Sequence, residues 1–253
     1  MNIKNLLTCT KQTIIDLICN NKLMCKEVNE KDFLNSETNA INKYIILFNK
    51  FIPNKEEKIR NLKFKQIDED NYKLVCYNFN NIIEVSSFDE FKSKDIVIGF
   101  EGSLIHVFFD KKWYFTTTKC MNMYESKFNS DISHGQMFED AIKIDDLIKM
   151  LNPDYSYTFV IIHYKNKYLV DYKYVFGEKY TKILYLWTKN ASMDLIDNIE
   201  LNNVNILKQN KNYDLKFNNN IESFMNVIYN TETNEINIYK LTNPYYAQQK
   251  KII

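Results

Sequence analysis

Apolar positions along this chain follow two rhythms. Ile14, Ile15, Leu17 and Ile18 crowd together after Thr13, the pattern of a short buried helix. Ile41, Tyr44, Ile45 and Phe48 then recur at helical spacing and predict a second helix. Ser36 and Asn39 ahead of it resemble half a capping box, and Pro53 closes the segment. From Arg60 onward the rhythm turns to alternation. Leu62, Phe64 and Ile67, the polar Asp68-Glu69-Asp70-Asn71, and Tyr72 to Tyr77 together predict a hairpin. Ile96 to Ile98, Ser103 to Phe109 and Trp113 to Thr118 are rich in β-branched and aromatic residues. The turn Asp110-Lys111-Lys112 joins the last two as another hairpin.

Further along, helices are expected at Gln136 to Ile142, at Ile144 to Leu151 before Pro153, and briefly near Met193 to Asn198. Strand-like runs fall at Tyr157 to Ile162, Tyr168 to Tyr172, Thr181 to Thr188, Met225 to Tyr229 and Glu235 to Leu241. Helices first, then mostly antiparallel β-sheets with inserted helices, is an α+β order. No Pro-, Gly- or Ser-rich linker divides the chain, so residues 1–253 read as a single domain. Within it we expect a helical part at 1–55 and a β-rich body at 56–253.

Composition acts mainly by exclusion. With 45% hydrophobic and 26% charged residues, the chain has the make-up of a folded globular protein. A net charge of +1 excludes a strongly basic nucleic-acid wrapper but leaves room for a local basic groove. No apolar run reaches the roughly 20 residues that a membrane-spanning helix needs, and Met1 to Thr10 does not read as a signal peptide. The scattered Cys9, Cys19, Cys25, Cys76 and Cys120 suit reduced thiols in a cytoplasmic protein. Cys19, Cys25 and His134 lack the spacing of a zinc site. There is no Ser–His–Asp order and no phosphate-cradling glycine loop.

Of the four glycines, two are Gly99 and Gly102, and glycine so sparsely used marks a backbone requirement. The run Gly99-Phe100-Glu101-Gly102-Ser103-Leu104-Ile105 resembles motif I (Lys-x-Asp/Glu-Gly-Ser-Leu) of the ATP-dependent RNA ligases of the T-even phage type, a family of covalent nucleotidyltransferases. Thr116-Thr117-Thr118-Lys119 sits where those ligases carry a phosphate-facing lysine, and Arg60-Asn61-Leu62-Lys63-Phe64 is similar to their Arg-Gly-x-x-Phe strand. Val75-Cys76-Tyr77-Asn78-Phe79 resembles the strand leading to their Lys-Phe-Phe-Asn element. Tyr157 to Ile161 with Asn166-Lys167 resembles motif III, Glu222 to Ile228 motif IV, and Tyr239 to Asn243 with Tyr246 motif V. Ligase-like proteins of large cytoplasmic DNA viruses are similar again, at Phe100 to Ser103, Thr117 to Asn122 and His134 to Phe138.

The resemblance implies a nucleotidyltransferase domain, with Arg60, Glu101, Gly102, Lys119 and Lys240 at the nucleotide and its phosphates and Glu222 at a metal. ATP and Mg2+ would be the cofactors of a working pocket. That chemistry needs a lysine amine to attack the α-phosphate, and Gly99 stands in its place. Lys94, Lys111 and Lys112 do not preserve the spacing. Phe159-Val160-Ile161 lacks the motif III carboxylate. Thr242 follows Lys240 where a second lysine is usual; because i and i+2 share a strand face, one pocket charge is lost. The expectation is therefore a catalytically inactive pseudoenzyme binding nucleotide, RNA or viral proteins in the host cytoplasm, viral factory or virion. Two alternatives stay open: an active RNA-end enzyme using a displaced lysine, and a structural or assembly protein. The tail Gln248 to Ile253 leaves no room for the family's C-terminal RNA-specificity domain. His106 and His163 are expected to have no role, His134 to be a turn residue or helix cap, and Trp113, Tyr114 and Phe115 to pack the core rather than stack on bases.

Overall fold

The computed structural model describes residues 2–31, 41–49, 61–79, 81–93, 95–166, 169–196, 199–203, 205–207, 217 and 221–250. Strand β1 (Thr8–Thr10) leads into helix α1 (Lys11–Asn21), whose first turn is capped by the Thr10 hydroxyl and whose last ends on Lys22 in a left-handed conformation. Then come β2 (Leu23–Lys31), β3 (Ile41–Asn49), β4 (Asn61–Gln66) and β5 (Asn71–Tyr77), which complete a first sheet in the order β1-β5-β4-β3-β2. β6 (Asn81–Glu84) and β7 (Ile96–Gly99) begin a second sheet.

β8 (Ser103–Asp110) and β9 (Lys112–Thr117) start a third sheet. Helices α2 (His134–Ala141) and α3 (Ile144–Ile148) follow, then β10 (Ser156–His163), α4 (Lys173–Phe176), β11 (Thr181–Lys189), β12 (Leu195–Ile196) and β13 (Ile206–Leu207). The third sheet runs β12-β11-β10-β8-β9, with β13 parallel to β11. β14 (Ser223–Asn230) and β15 (Glu235–Thr242) return to the second sheet, in the order β6-β15-β14-β7, before α5 (Pro244–Lys250). Apart from β6 on β15 and β13 on β11, the pairings are antiparallel. The class is α+β, as expected.

Strand alternation decides which layer meets which. In β3 and β4, Ile45, Leu47, Leu62 and Phe64 join Ile14 and Leu17 of α1 in one core, whereas Tyr44 and Ile46 point the other way, to Phe108 and Tyr114 of the third sheet. Within that third sheet Ile105, Val107, Phe159 and Ile161 pack on α2 and α3. Its opposite face is shared: Val160 and Ile162 meet Tyr172 and Tyr246, Trp187 meets Ile236 and Ile238 of the second sheet, and Phe108 meets the first sheet.

Both long hairpins, α1, α2 and α3 lie where the pattern placed them, and the main strands 157–162, 181–188, 225–229 and 235–241 do as well. The helix expected over Ile41 to Phe48 is instead the strand β3. Paired on both sides and buried on both faces, it carries apolar residues at every position from Tyr44 to Phe48, which removes the period-two signal. β3 and β4 pair across the 55/56 boundary, so one sheet draws on both expected parts; the boundary itself lies outside the described residues, with Ser36, Asn39 and Pro53.

The strand expected at Tyr168 to Tyr172 is absent from its described residues. Leu169 and Val170 give their N–H groups to a carboxylate rather than to a ladder, and Tyr172 opens α4. In place of a helix near Met193, the Asn190 side chain accepts from the N–H groups of Ser192 and Asp194, a turn that returns Leu195 to pair with Lys189. Strand β2 and helix α5 had no counterpart in the sequence reading.

Candidate functional site

Between Gly99 and Ser103 the backbone crosses from the second sheet to the third, and both glycines there answer to crowding. Gly99 faces Ser223 across the β7–β14 ladder; a Cβ at 99 would overlap Ser223 Oγ and press on Met225 Cγ and Sδ at 3.2 Å. At Gly102 a Cβ would overlap Val160 Cγ1 and stand 2.6 Å from the Ile161 carbonyl oxygen, so the chain passes flush against β10.

Glu101 lies between them and is fully engaged. Its carboxylate takes the N–H groups of Leu169 (2.7 Å) and Val170 (3.2 Å) on one oxygen and the Tyr246 hydroxyl (3.0 Å) on the other. Its own N–H donates to the Tyr172 hydroxyl at 2.6 Å. Glu222, just before β14, forms an ion pair with Lys240 of β15, and both side chains are largely buried. Burial, opposed at Tyr172 by the bond from the Glu101 N–H and reinforced at both by the charges of Glu222 and Glu101, pushes the phenols of Tyr172 and Tyr246 well above the usual tyrosine range, so both stay neutral, Tyr246 as a donor and Tyr172 as an acceptor. Thr242, where the motif has a second lysine, donates to Glu84 at 2.8 Å.

Of the residues singled out in the sequence, Glu101, Gly102, Glu222 and Lys240 thus gather at one corner with Gly99. Lys119 does not join them: it is exposed, its ammonium 5.5 Å from the Phe48 ring. Arg60 lies outside the described residues, as do Lys94 and Lys167. One oxygen of the Glu222 carboxylate is paired with Lys240, and no group of three or more His, Cys, Asp or Glu among the described residues is placed to hold a metal.

No protein-family model matches the chain. One stretch is 29% identical over 105 residues to an "Immediate-early protein ICP-46 homolog" of Invertebrate iridescent virus 3, covering 39% of this chain and 22% of that protein. The relative is viral. The match spans about a fifth of that protein's length and bears no ligase description.

The three histidines are all buried. His134 is the first residue of α2 and its Nδ1 lies 2.9 Å from Ser126 Oγ; His163 Nε2 lies 3.1 Å from Asp140. Tyr114 stacks on Phe108 and Phe115 meets Phe138 edge-on, so these two serve packing; Trp113, partly buried, packs edge-on against Phe109.

Sequence reasoning missed the most polar part of the interior. Lys63 of β4, Lys189 of β11 and His106 of β8 are each at most 1% exposed. Lys63 donates to Asn61 Oδ1 (3.2 Å), and Lys189 to the carbonyls of Tyr77 and Asn78, both at 2.7 Å, with its ammonium 3.8 Å from the Tyr77 ring centre. Asn78 N–H in turn donates to the Asn61 carbonyl at 3.3 Å. Burial drives both lysines below the usual range, with nearby Cys76 opposing this in both; His106 is lowered by burial and then by the two lysines. The sequence signal was the alternation in Asn61-Leu62-Lys63-Phe64, which reads as one buried and one solvent face because nothing local announces a second sheet.

Proposed function

We propose that this chain is a catalytically inactive, RNA-ligase-like protein that works by binding nucleotide or RNA, its motif residues retained as joints of the fold. The observation that carries this reading is at Gly99. The position where ligation chemistry needs a lysine has no side chain, and Ser223 Oγ occupies the space in which one would begin. The state of the surviving residues supports it. Glu101 takes three donors from 169–170 and 246, and one oxygen of Glu222 pairs with Lys240, so both carboxylates serve contacts within the fold.

The test is incubation with α-labelled ATP and Mg2+, followed by denaturing separation, beside a calorimetric titration of the same protein with ATP and with single-stranded RNA. The expected result is no covalent label together with measurable binding of ATP or RNA. A labelled protein band would establish the displaced-lysine enzyme instead, and no binding of either ligand would leave the structural or assembly reading.

A further inference from the structure

A second site lies apart from the Glu101 corner. The first and third sheets face each other through β4 and β8. On β4, Leu62 and Phe64 turn toward α1, so Asn61 and Lys63 turn toward the third sheet. On β8, Ile105 and Val107 turn toward α2 and α3, so His106 turns back toward the first. Lys189 enters from the end of β11, on the sheet face of Trp187, which shares a cross-strand row with His106 through Thr158. The result is two lysines whose positive charge both reaches His106.

Around them the polar groups are left over rather than paired off. Asn61 Nδ2, both polar side-chain atoms of Asn78, and both ring nitrogens of His106 are buried with no hydrogen-bond partner among the described residues. Among the described residues, the groups that act electrostatically on Lys63 and Lys189 are Cys76 and Cys120, with no carboxylate among them. Burying cationic groups without a counter-charge is among the costliest arrangements in a protein interior. The same interface shows the ordinary solution one pleat away, where Lys65 meets Asp110 at 2.7 Å. With the amide N–H groups of Asn61 and Asn78 and an imidazole N–H unspent beside two lysines, the arrangement calls for an oxyanion: it supplies several acceptor atoms at once and the missing negative charge. A carboxylate carries one charge for two lysines, whereas a phosphate dianion matches both and still offers an oxygen to His106 and the asparagine amides.

We propose that Lys63, Lys189, His106, Asn61 and Asn78 form a buried binding site for a phosphate group between the first and third sheets. This goes beyond the ligase-like reading and does not rest on it, because Glu101, Glu222 and Lys240 take no part. The phosphate is either free or borne by a nucleotide, and the experiment separates the two sources.

Thermal unfolding is measured for the wild type, Lys63→Met and His106→Gln, with inorganic phosphate, ATP, or chloride at matched ionic strength. A saturable rise in the wild-type midpoint with phosphate, absent with chloride, is expected. Its apparent affinity should fall about ten- to hundredfold in Lys63→Met, the loss of one charge-assisted contact, and less in His106→Gln. If ATP acts and phosphate does not, and Lys63→Met abolishes the effect, the site takes the nucleotide's phosphate. If neither ligand moves the wild type beyond chloride, or both move the variants equally, the site does not exist and the leftover atoms are served by water. Lys63→Met is expected to fold because it removes a buried charge; should it not, His106→Gln decides by the same criterion. Absence of both ATP and RNA binding in the calorimetric test, with the effect of inorganic phosphate intact, would sink the functional reading and leave this one standing.

Discussion

Lys63 and Lys65 stand two residues apart on one face of β4 and have opposite fates. Lys65 is held by Asp110, which also accepts the Tyr44 hydroxyl at 2.6 Å. Among the described residues, Lys63 has an amide oxygen and no carboxylate. In phosphate-free buffer Lys63→Met should therefore stabilise the protein, by about 1–4 kcal/mol, as apolar replacements of buried charge do. Lys65→Met should destabilise it by about 1–3 kcal/mol, since Asp110 keeps only part of its bonding. Urea midpoints of the two variants check both signs. The histidines give a second residue-scale expectation. All three sit below the usual value of 6.5, chiefly through burial. A lowered histidine means that the unfolded chain takes up protons first, so the stability it confers is complete above about 6.5 and is lost as pH falls through the folded values. Stability in phosphate-free buffer should decline below that pH, and His106→Gln should flatten the decline.

Among the elements, those with self-contained signals were legible and those defined by neighbours were not. The hairpins carried their turn residues in sequence, and α2 carries a full capping box in which Ser133 and Gln136 each bond the other's backbone N–H. Ser133→Ala should cost about 1 kcal/mol, visible as a lower denaturation midpoint with an unchanged slope. β3 shows the other case. Tyr44, Ile45, Ile46 and Leu47 are all buried because α1 covers one face and the third sheet the other, a fact of the assembled layers that no local period encodes. The same holds at the sites. Gly99, Glu101, Gly102, Glu222 and Lys240 could be picked from the sequence through their motif-like order. Their partners Tyr172, Leu169 and Val170 could not, because the contacts bridge about 70 residues with no pattern linking the two ends.

At the scale of the molecule, the second sheet is a splice of distant segments. β7 pairs with β14 and β6 with β15, so residues 81–99 find their ladder partners at 223–242. The tip of the β14–β15 hairpin also receives the Ile3 N–H at Thr233 (2.9 Å) and the Lys4 ammonium at Thr231 (3.0 Å). A chain ended at residue 220 should therefore lose more than a peripheral hairpin: β6 and β7 would be left as unpaired edges beside an uncovered apolar face that includes Trp187 and Phe79. Its circular dichroism melt should lack the single cooperative transition expected of the full chain, and limited proteolysis should cut between residues 79 and 99 first. A truncated chain that melts as sharply as the full one would show the second sheet to be dispensable.

The clamp on Glu101 also sets an order of events during synthesis. The carboxylate leaves the ribosome long before any of its side-chain or backbone partners, and the Tyr246 hydroxyl is encoded 145 residues downstream. Until residues 169–170 are made the acid has no donor from the fold, and until Ser223 is made Gly99 has no strand beside it, so water must serve both. Nascent protein should thus hold this corner incomplete until late in translation, and a pause late in the message would lengthen the interval in which a chaperone or protease can reach it.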